Sequence, residues 1–183
     1  LGACGTAPES RLVLAPPPCS IPRVQQSGFV PHSDLVTAPG ASPARWMLVL
    51  HGILGSGANW RSFARRLATA CPSWGFVLVD LRAHGQSADA PPPYTLRAAA
   101  EDLLRLEATL GKPISAVLGH SFGGKVALAL AEISLTPLDQ VWVLDSLPGS
   151  RTEELASPRT AAVVRMLEDM PQTFPTRERF VEI

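Results

Sequence analysis

The sequence is poor in cysteine, carries no excess of either charge and contains no long apolar run, and each of these features excludes a class of protein. Cys4, Cys19 and Cys71 do not follow the spacing of a metal site, and an odd number cannot be fully paired within one chain, so we expect reduced thiols. The 16 basic and 16 acidic side chains cancel, which removes the net field that attracts nucleic acid. Apolar runs such as residues 46–50 and 126–131 are far shorter than the roughly 20 residues of a membrane-spanning helix. We therefore expect a small-molecule or protein partner, no nucleic acid, no spanning segment, no metal and no cofactor, and the oligomeric state stays open.

The first 44 residues differ in composition from the rest of the chain. They are rich in proline and small residues and carry few charges, so they cannot bury enough apolar surface to offset the entropy lost on ordering. We predict that residues 1–44 are disordered, with residues 33–37 as a candidate edge strand. Two interpretations stay open: the remnant of a transit peptide, which gives an organellar location in a chloroplast or mitochondrion, or a tail without an address in a cytoplasmic protein.

From residue 45 onwards, short apolar runs alternate with amphipathic segments. The apolar runs predict buried strands at residues 46–50, 75–80, 114–118 and 141–145. Helical spacing predicts one helix capped by Asn59, one that begins at Thr95 and ends at Gly111, and one over residues 125–133. This alternation predicts an α/β fold, in which a parallel sheet is flanked by helices and ligands bind at the carboxyl ends of the strands.

The length of the chain sets the number of domains. At 183 residues, of which 46% are apolar, the chain can bury one substantial core. We assign residues 45–148 to the N-terminal part of that core. Residues 149–183 contain no further buried-strand pattern and are divided by prolines, so we assign them to the start of a helical cap segment.

Residues 119–123 read G-H-S-F-G, which matches the pattern G-x-S-x-G. A short match of this kind also occurs by chance. Here it lies directly between a predicted strand and a predicted helix, where a sharp turn pushes the Ser121 hydroxyl out over the edge of the sheet. Gly119 and Gly123 supply the room that such a turn needs. The context predicts that Ser121 is a catalytic nucleophile.

Two backbone amides are candidates for stabilising the negative oxygen that forms when a serine attacks a carbonyl. The N–H of Phe122 opens the helix after Ser121, where free amides and the helix dipole favour negative charge. The N–H of Ile53 lies in the glycine-rich loop after the first predicted buried strand. We predict an oxyanion hole formed by Ile53 and Phe122.

Three motifs together resemble the α/β-hydrolase superfamily over residues 46–148. They read H-G-I-L-G-S-G-A-N-W at residues 51–60, D-L-R-A-H-G-Q-S at residues 80–87 and G-H-S-F-G-G-K-V-A at residues 119–127. They look most like the small esterase branch, which implies hydrolysis of short acyl esters or thioesters. The resemblance also implies that Asp145, after the fourth predicted buried strand, orients a catalytic histidine. Many other members place the acid after a later strand, which this chain does not contain. Asp145 would then only cap a loop at the end of its strand.

Histidine is where the sequence departs from this family. His32, His51, His84 and His120 all precede Ser121, whereas the family's catalytic base follows the acid. We interpret His51, His84 and His120 as hydrogen-bonded loop residues, and His32 has no assigned role. Either the full protein continues to a histidine beyond Ile183, or a truncated product has lost catalysis.

Two hypotheses follow from the resemblance and from the missing base. The first is a serine hydrolase, inactive in the chain as given and active in the complete protein. The second is a non-catalytic ligand-binding or truncated protein on the same fold. A dehalogenase or epoxide hydrolase is excluded, because those members of the superfamily carry an aspartate at the position of Ser121.

Overall fold

The structure, a computed structural model, describes residues 28–146. The predicted cap segment, residues 149–183, lies outside the described residues, as do residues 1–27 and the last two residues of the predicted core. The strands are β1 (Ser33–Val36), β2 (Arg45–Leu50), β3 (Trp74–Val79), β4 (Ile114–His120) and β5 (Gln140–Leu144). The helices are α1 (Arg61–Ala70), α2 (Leu96–Leu110) and α3 (Phe122–Ile133). Short 3-10 turns lie at Gly57–Trp60 and Gly85–Ser87.

The strands form one twisted sheet in the order β1-β3-β2-β4-β5. Neighbours from β3 to β5 pair in parallel, and β1 pairs antiparallel with β3 at one edge. Parallel neighbours need long crossover connections, and here a helix lies in each of them. The predicted fold class, a parallel sheet flanked by helices, is confirmed.

Both faces of the central strands are buried, which explains their continuous apolar sequences. In β2, Leu48 and Leu50 belong to the cluster that α2 and α3 cover, whereas Met47 and Val49 point to the opposite face, under α1. Successive side chains of a strand point to opposite faces, so a strand between two helical layers is apolar at every position. The core therefore consists of two apolar layers, one on each side of the sheet.

The prediction of disorder up to residue 44 is wrong for the part of that segment which the structure describes. The predicted edge strand is present as Ser33–Val36, and its residues pair with β3 over four positions. Next to it, the N–H of His32 donates to Ser87 Oγ at 2.9 Å and its carbonyl accepts from the Asp80 N–H at 2.9 Å. Composition suggested too little apolar burial, but backbone pairing along the edge of β3 holds this segment in place.

The caps of the helices agree with the sequence in one case and not in another. Thr95 caps α2 with its side-chain oxygen, which accepts from the Ala98 N–H at 3.1 Å, and Gly111 ends the helix with φ +58°. The prediction that Asn59 caps α1 is wrong. Asn59 lies inside the preceding 3-10 turn, and its Oδ1 accepts from the Ser56 N–H at 2.7 Å. An asparagine before an apolar stripe fits either cap, so the sequence pattern could not separate the two.

Strand β5 differs from the other strands of the parallel set. It is the last strand of the described sheet, and Trp142 is 50% exposed. Its neighbour β4 is buried along most of its length. The well-packed part of the sheet therefore ends at β4, which directly precedes Ser121.

Candidate active site

Ser121 occupies a sharp bend between β4 and α3, as the sequence predicts. Its backbone has φ +51° and ψ −114°, a conformation that a residue with a side chain adopts only when the surroundings enforce it. The N–H of Ser121 donates to the carbonyl of Leu144 at 2.8 Å, which ties the bend to the end of β5. The bend is therefore hydrogen-bonded directly to the neighbouring strand of the sheet.

The glycines on either side of Ser121 are required by their neighbours. A Cβ on Gly123 would lie 2.5 Å from the carbonyl oxygen of His51, and a Cβ on Gly119 would collide with the Gly123 backbone. Atoms cannot approach so closely, so any side chain at either position would displace backbone. The close approach of the bend at Ser121 to the end of β2 depends on both glycines.

The loop after β2 lies directly beside the elbow. A Cβ on Gly52 would lie 3.3 Å from Ser121 Cβ. The loop then turns over residues 52–55, where Gly55 N–H donates to the Gly52 carbonyl at 3.1 Å and Leu54 takes a φ of +62°. Within residues 28–146, the Ile53 N–H has no hydrogen-bond partner. The structure thus brings the predicted Ile53 amide to the same corner as Ser121.

The second predicted donor is the backbone N–H of Phe122, which is the first residue of α3. The first amides of a helix have no partner within the helix, and they carry its partial positive charge. Two candidate donors from different elements, the amides of Ile53 and Phe122, therefore belong to segments that meet at Ser121. This arrangement suits an oxygen that gains negative charge.

Two of the three predicted loop histidines, His51 and His84, are held by hydrogen bonds and ring contacts. The prediction is wrong for His120, which is the last residue of β4 and whose ring makes no hydrogen bond within residues 28–146. His51 is buried, its Nδ1 lies 2.7 Å from the Gly52 carbonyl, and its Nε2 accepts from the Leu81 N–H at 3.0 Å. Burial lowers the pKa of His51, and the neighbouring His84 lowers it further. The His84 ring lies 5.0 Å from the His51 ring and is stacked on Phe122 at 6.0 Å. The ring contacts therefore connect the end of β2 with the start of α3.

Asp80 was not among the predicted site residues, but it joins the two loops beside the site. It is buried, and its carboxylate accepts from the Gly57 N–H at 2.7 Å and from the Gln86 N–H at 2.8 Å. One carboxylate thus holds the loops after β2 and after β3 together. Its position directly after a buried strand is a sequence signal for a polar group at this edge of the sheet, but it does not reveal the two partners.

A second buried group, also missed by the sequence analysis, anchors the loop after β3 to α2. Arg82 pairs with Asp102 through two bonds, of 2.7 and 3.0 Å, and also donates to the carbonyls of Pro91 and Pro93. Arg105 reaches the same carboxylate at 2.6 Å. No local pattern links residues 82 and 102, because the contact depends on the fold.

Asp145 follows β5 at the carboxyl end, on the same edge as Ser121. Its φ is +48°, and its side chain is 91% exposed. Its Oδ2 lies 3.9 Å from His120 Nε2. Asp145 is thus near the site, but its carboxylate is not held in one direction by the described residues. Its predicted role stays a prediction.

A cavity of about 340 Å³ opens next to this corner. Its walls are His51, Gly52, Ile53, Leu54, Gly55, Asn59, Trp60 and His120. The Trp60 and His120 rings lie 6.3 Å apart on one side, and exposed Leu54 lies at the rim. A small, partly apolar group can enter from this side.

Comparison with known proteins agrees with the geometry. A family model described as "alpha/beta hydrolase fold" matches residues 45–180, about three quarters of the chain. The chain belongs to the α/β-hydrolase fold family. The predicted resemblance to this superfamily is confirmed.

The relatives of this α/β-hydrolase include proteins named as lipases and as an esterase. It is 34% identical to "Lipase LipV" of Mycobacterium tuberculosis over 125 residues, which cover 67% of this chain and 46% of the relative. It is 31% identical to "sn-1-specific diacylglycerol lipase ABHD11" of Mus musculus over 119 residues, 65% of this chain and 38% of the relative. Among solved structures, "Marine microorganism esterase" superposes with a TM-score of 0.66 at 26% identity, covering 81% of this chain and 55% of that chain.

The chain spans about half the length, or less, of these relatives. The family match over residues 45–180 includes the bend at Ser121 and the loop after β2. In residues 28–146, no helix is both long enough and apolar enough to cross a membrane.

Proposed function

We propose that this α/β-hydrolase is a serine hydrolase that cleaves acyl esters or thioesters of small substrates. The observation that carries the proposal is the strained backbone of Ser121, held between two amides that have no partner among the described residues. A strained residue costs free energy, so its persistence at a ligand-accessible corner favours a functional role. The ester-cleaving relatives support the reaction class.

The proposed reaction proceeds in two steps. Ser121 Oγ attacks the acyl carbon, its proton passes to a base, and the alcohol or thiol leaves with a proton from that base. Water then attacks the acyl-enzyme and releases the carboxylic acid and free serine. During both steps, the Ile53 and Phe122 amides stabilise the negative oxygen.

The base is the part of the mechanism that the described residues do not supply. His51 and His84 are engaged in loop contacts, and no histidine follows Ser121 in the chain. We propose that a histidine comes from the part of the family fold that this chain does not span. Asp145, at the same edge of the sheet, is proposed to orient that histidine.

A second candidate function is ligand binding without catalysis. The observation that favours it is the exposed Asp145 carboxylate, which is near His120 and has no hydrogen bond among residues 28–146 that fixes its direction. The cavity beside Trp60 would then bind a small acyl compound without cleaving it. The two candidates differ in turnover and not in affinity.

The test is hydrolysis of p-nitrophenyl esters of increasing acyl length, and of a matched thioester, by the full-length protein. We expect turnover of short acyl chains that falls by a factor of about 10⁴ or more in Ser121→Ala, because the nucleophile is lost. The control is Ser134→Ala, at the far end of α3. Binding of the esters without turnover in the unsubstituted protein would favour the second candidate.

An organellar location, in a chloroplast or mitochondrion, is a separate proposal. It rests only on the composition of the first 44 residues. Imaging a fluorescent fusion with and without residues 1–27 tests it, and loss of organellar signal in the shortened form is the expected result. A cytoplasmic signal for both forms would contradict it.

A further inference from the structure

His51 lies at the end of β2, where the loop that carries the Ile53 amide begins. Its ring is buried, and both ring nitrogens are engaged, Nδ1 with the Gly52 carbonyl and Nε2 with the Leu81 N–H. A backbone N–H can only donate, so Nε2 must accept. The proton of the neutral ring therefore sits on Nδ1, which donates to Gly52. The two contacts define one tautomer.

The carbonyl that His51 holds belongs to the same peptide as the Ile53 amide. In a trans peptide, the C=O and the N–H point in opposite directions. The Gly52 oxygen is held by His51 Nδ1 at 2.7 Å and by the Gly55 N–H at 3.1 Å. The Ile53 N–H must therefore point away from both, and the same peptide lies beside Ser121.

We propose that His51 is a positioning residue that sets the direction of the Ile53 amide in the oxyanion hole. This inference rests on the proposed function and adds a residue to it. His51 acts through the peptide between Gly52 and Ile53. Two titratable groups face its ring: His84, with ring centroids 5.0 Å apart, and Asp80, whose charge favours the protonated form.

Two substitutions separate this role from a purely structural one. In His51→Asn, the side-chain amide nitrogen lies close to where Nδ1 was, so the donor to Gly52 is kept and the acceptor for Leu81 is lost. In His51→Gln, the longer side chain places its oxygen near the position of Nε2, so the acceptor is kept and the donor is lost. The pair therefore removes one contact at a time.

The measurement is the rate at which a fluorophosphonate labels Ser121 in the full-length protein, followed by intact mass, together with unfolding in urea. We expect His51→Asn to keep most of the labelling rate although it is the less stable variant. We expect His51→Gln to label about 100-fold more slowly, the order of loss for one oxyanion donor, although it is the more stable variant. If His51 had a purely structural role, the less stable variant would also be the one that is labelled more slowly. That result would overturn the inference.

A second readout does not depend on reactivity. The ¹⁵N chemical shifts of the His51 ring in the unsubstituted protein report the tautomer, and we expect the proton on Nδ1. A proton on Nε2 would overturn the inference, because Nδ1 could then not donate to Gly52. Absence of labelling in the unsubstituted protein would overturn the proposed function instead. The two failures are thus distinguishable.

Discussion

The two ends of the candidate site lie at the same edge of the sheet but are built differently. At one end, the loop after β2 and the bend at Ser121 are fixed by close packing and buried groups: Gly123 packs against the end of β2, and Asp80 joins two loops. At the other end, Asp145 follows the exposed strand β5, and its side chain is 91% exposed. Within residues 28–146, the end that contains Ser121 is therefore tightly packed, whereas the end that contains Asp145 is exposed.

This difference shows which part of the chemistry the described residues can support. Stabilising a negative oxygen needs donors that are already in place before reaction. Proton transfer needs a base at hydrogen-bond distance from Ser121, held by an oriented acid. In the proposed function, the Ile53 and Phe122 amides meet the first requirement. The second depends on groups that these residues do not hold in place.

The largest expected effect on stability comes from adding a side chain at the tightly packed end, next to Ser121. Gly123→Ala should lower the free energy of unfolding by about 3 kcal/mol, because its Cβ would lie 2.5 Å from the His51 carbonyl and displace backbone. Urea unfolding followed by circular dichroism measures this. The control is Gly40→Ala, where φ is +70° and no atom lies within 4 Å, and where strain alone should cost about 1 kcal/mol. Equal losses in both variants would contradict the account.

A smaller effect is expected from the buried carboxylate. Asp80→Asn should cost about 2 kcal/mol of unfolding free energy, since the amide turns a donor toward one of two backbone N–H groups. The same substitution at exposed Asp145 should change stability by less than about 0.5 kcal/mol. Chemical denaturation of both variants tests the contrast. Similar losses at the two positions would remove the distinction between the two ends.

A third effect concerns pH, and its sign follows from the lowered pKa of His51. Below the ordinary pKa of 6.5, the unfolded chain binds a proton at this residue that the folded protein resists, so stability falls as pH drops below that value. At pH above 6.5 the neutral His51 ring makes its full contribution to the free energy of unfolding. Unfolding of the unsubstituted protein and of His51→Asn between pH 5 and 8 measures this, with the slope expected to be smaller in the variant. An unchanged slope would contradict the assignment to His51.

The smallest expected effect is at the apolar edge of the sheet. Trp142→Ser removes a side chain that is 50% exposed and should cost less than the loss of a fully buried one, which is about 3 kcal/mol for Leu48→Ala. The comparison by thermal unfolding tests whether β5 adds little to the core of residues 28–146. A loss at Trp142 as large as that at Leu48 would show that the described sheet relies on β5.

The sequence predicted those features that depend on local pattern. The doubly buried strands, the bend at Ser121 and the glycine requirement follow from apolar runs and from small residues at fixed spacing. The pairing of Arg82 with Asp102 and the brace formed by Asp80 depend on distant segments meeting, so no spacing rule could show them. The disorder predicted up to residue 44 failed for the same reason, because β1 gains its partners from β3.

The most direct test of the account is to map where a fluorophosphonate attaches to the full-length protein, by peptide mass spectrometry. We predict a single modified residue, Ser121, and no modification in Ser121→Ala. Within residues 28–146, Ser121 has a strained backbone next to the Phe122 amide, and neither this amide nor that of Ile53 has a hydrogen-bond partner there. A label on another serine, or no label on a folded full-length protein, would contradict the assignment of Ser121 as the nucleophile.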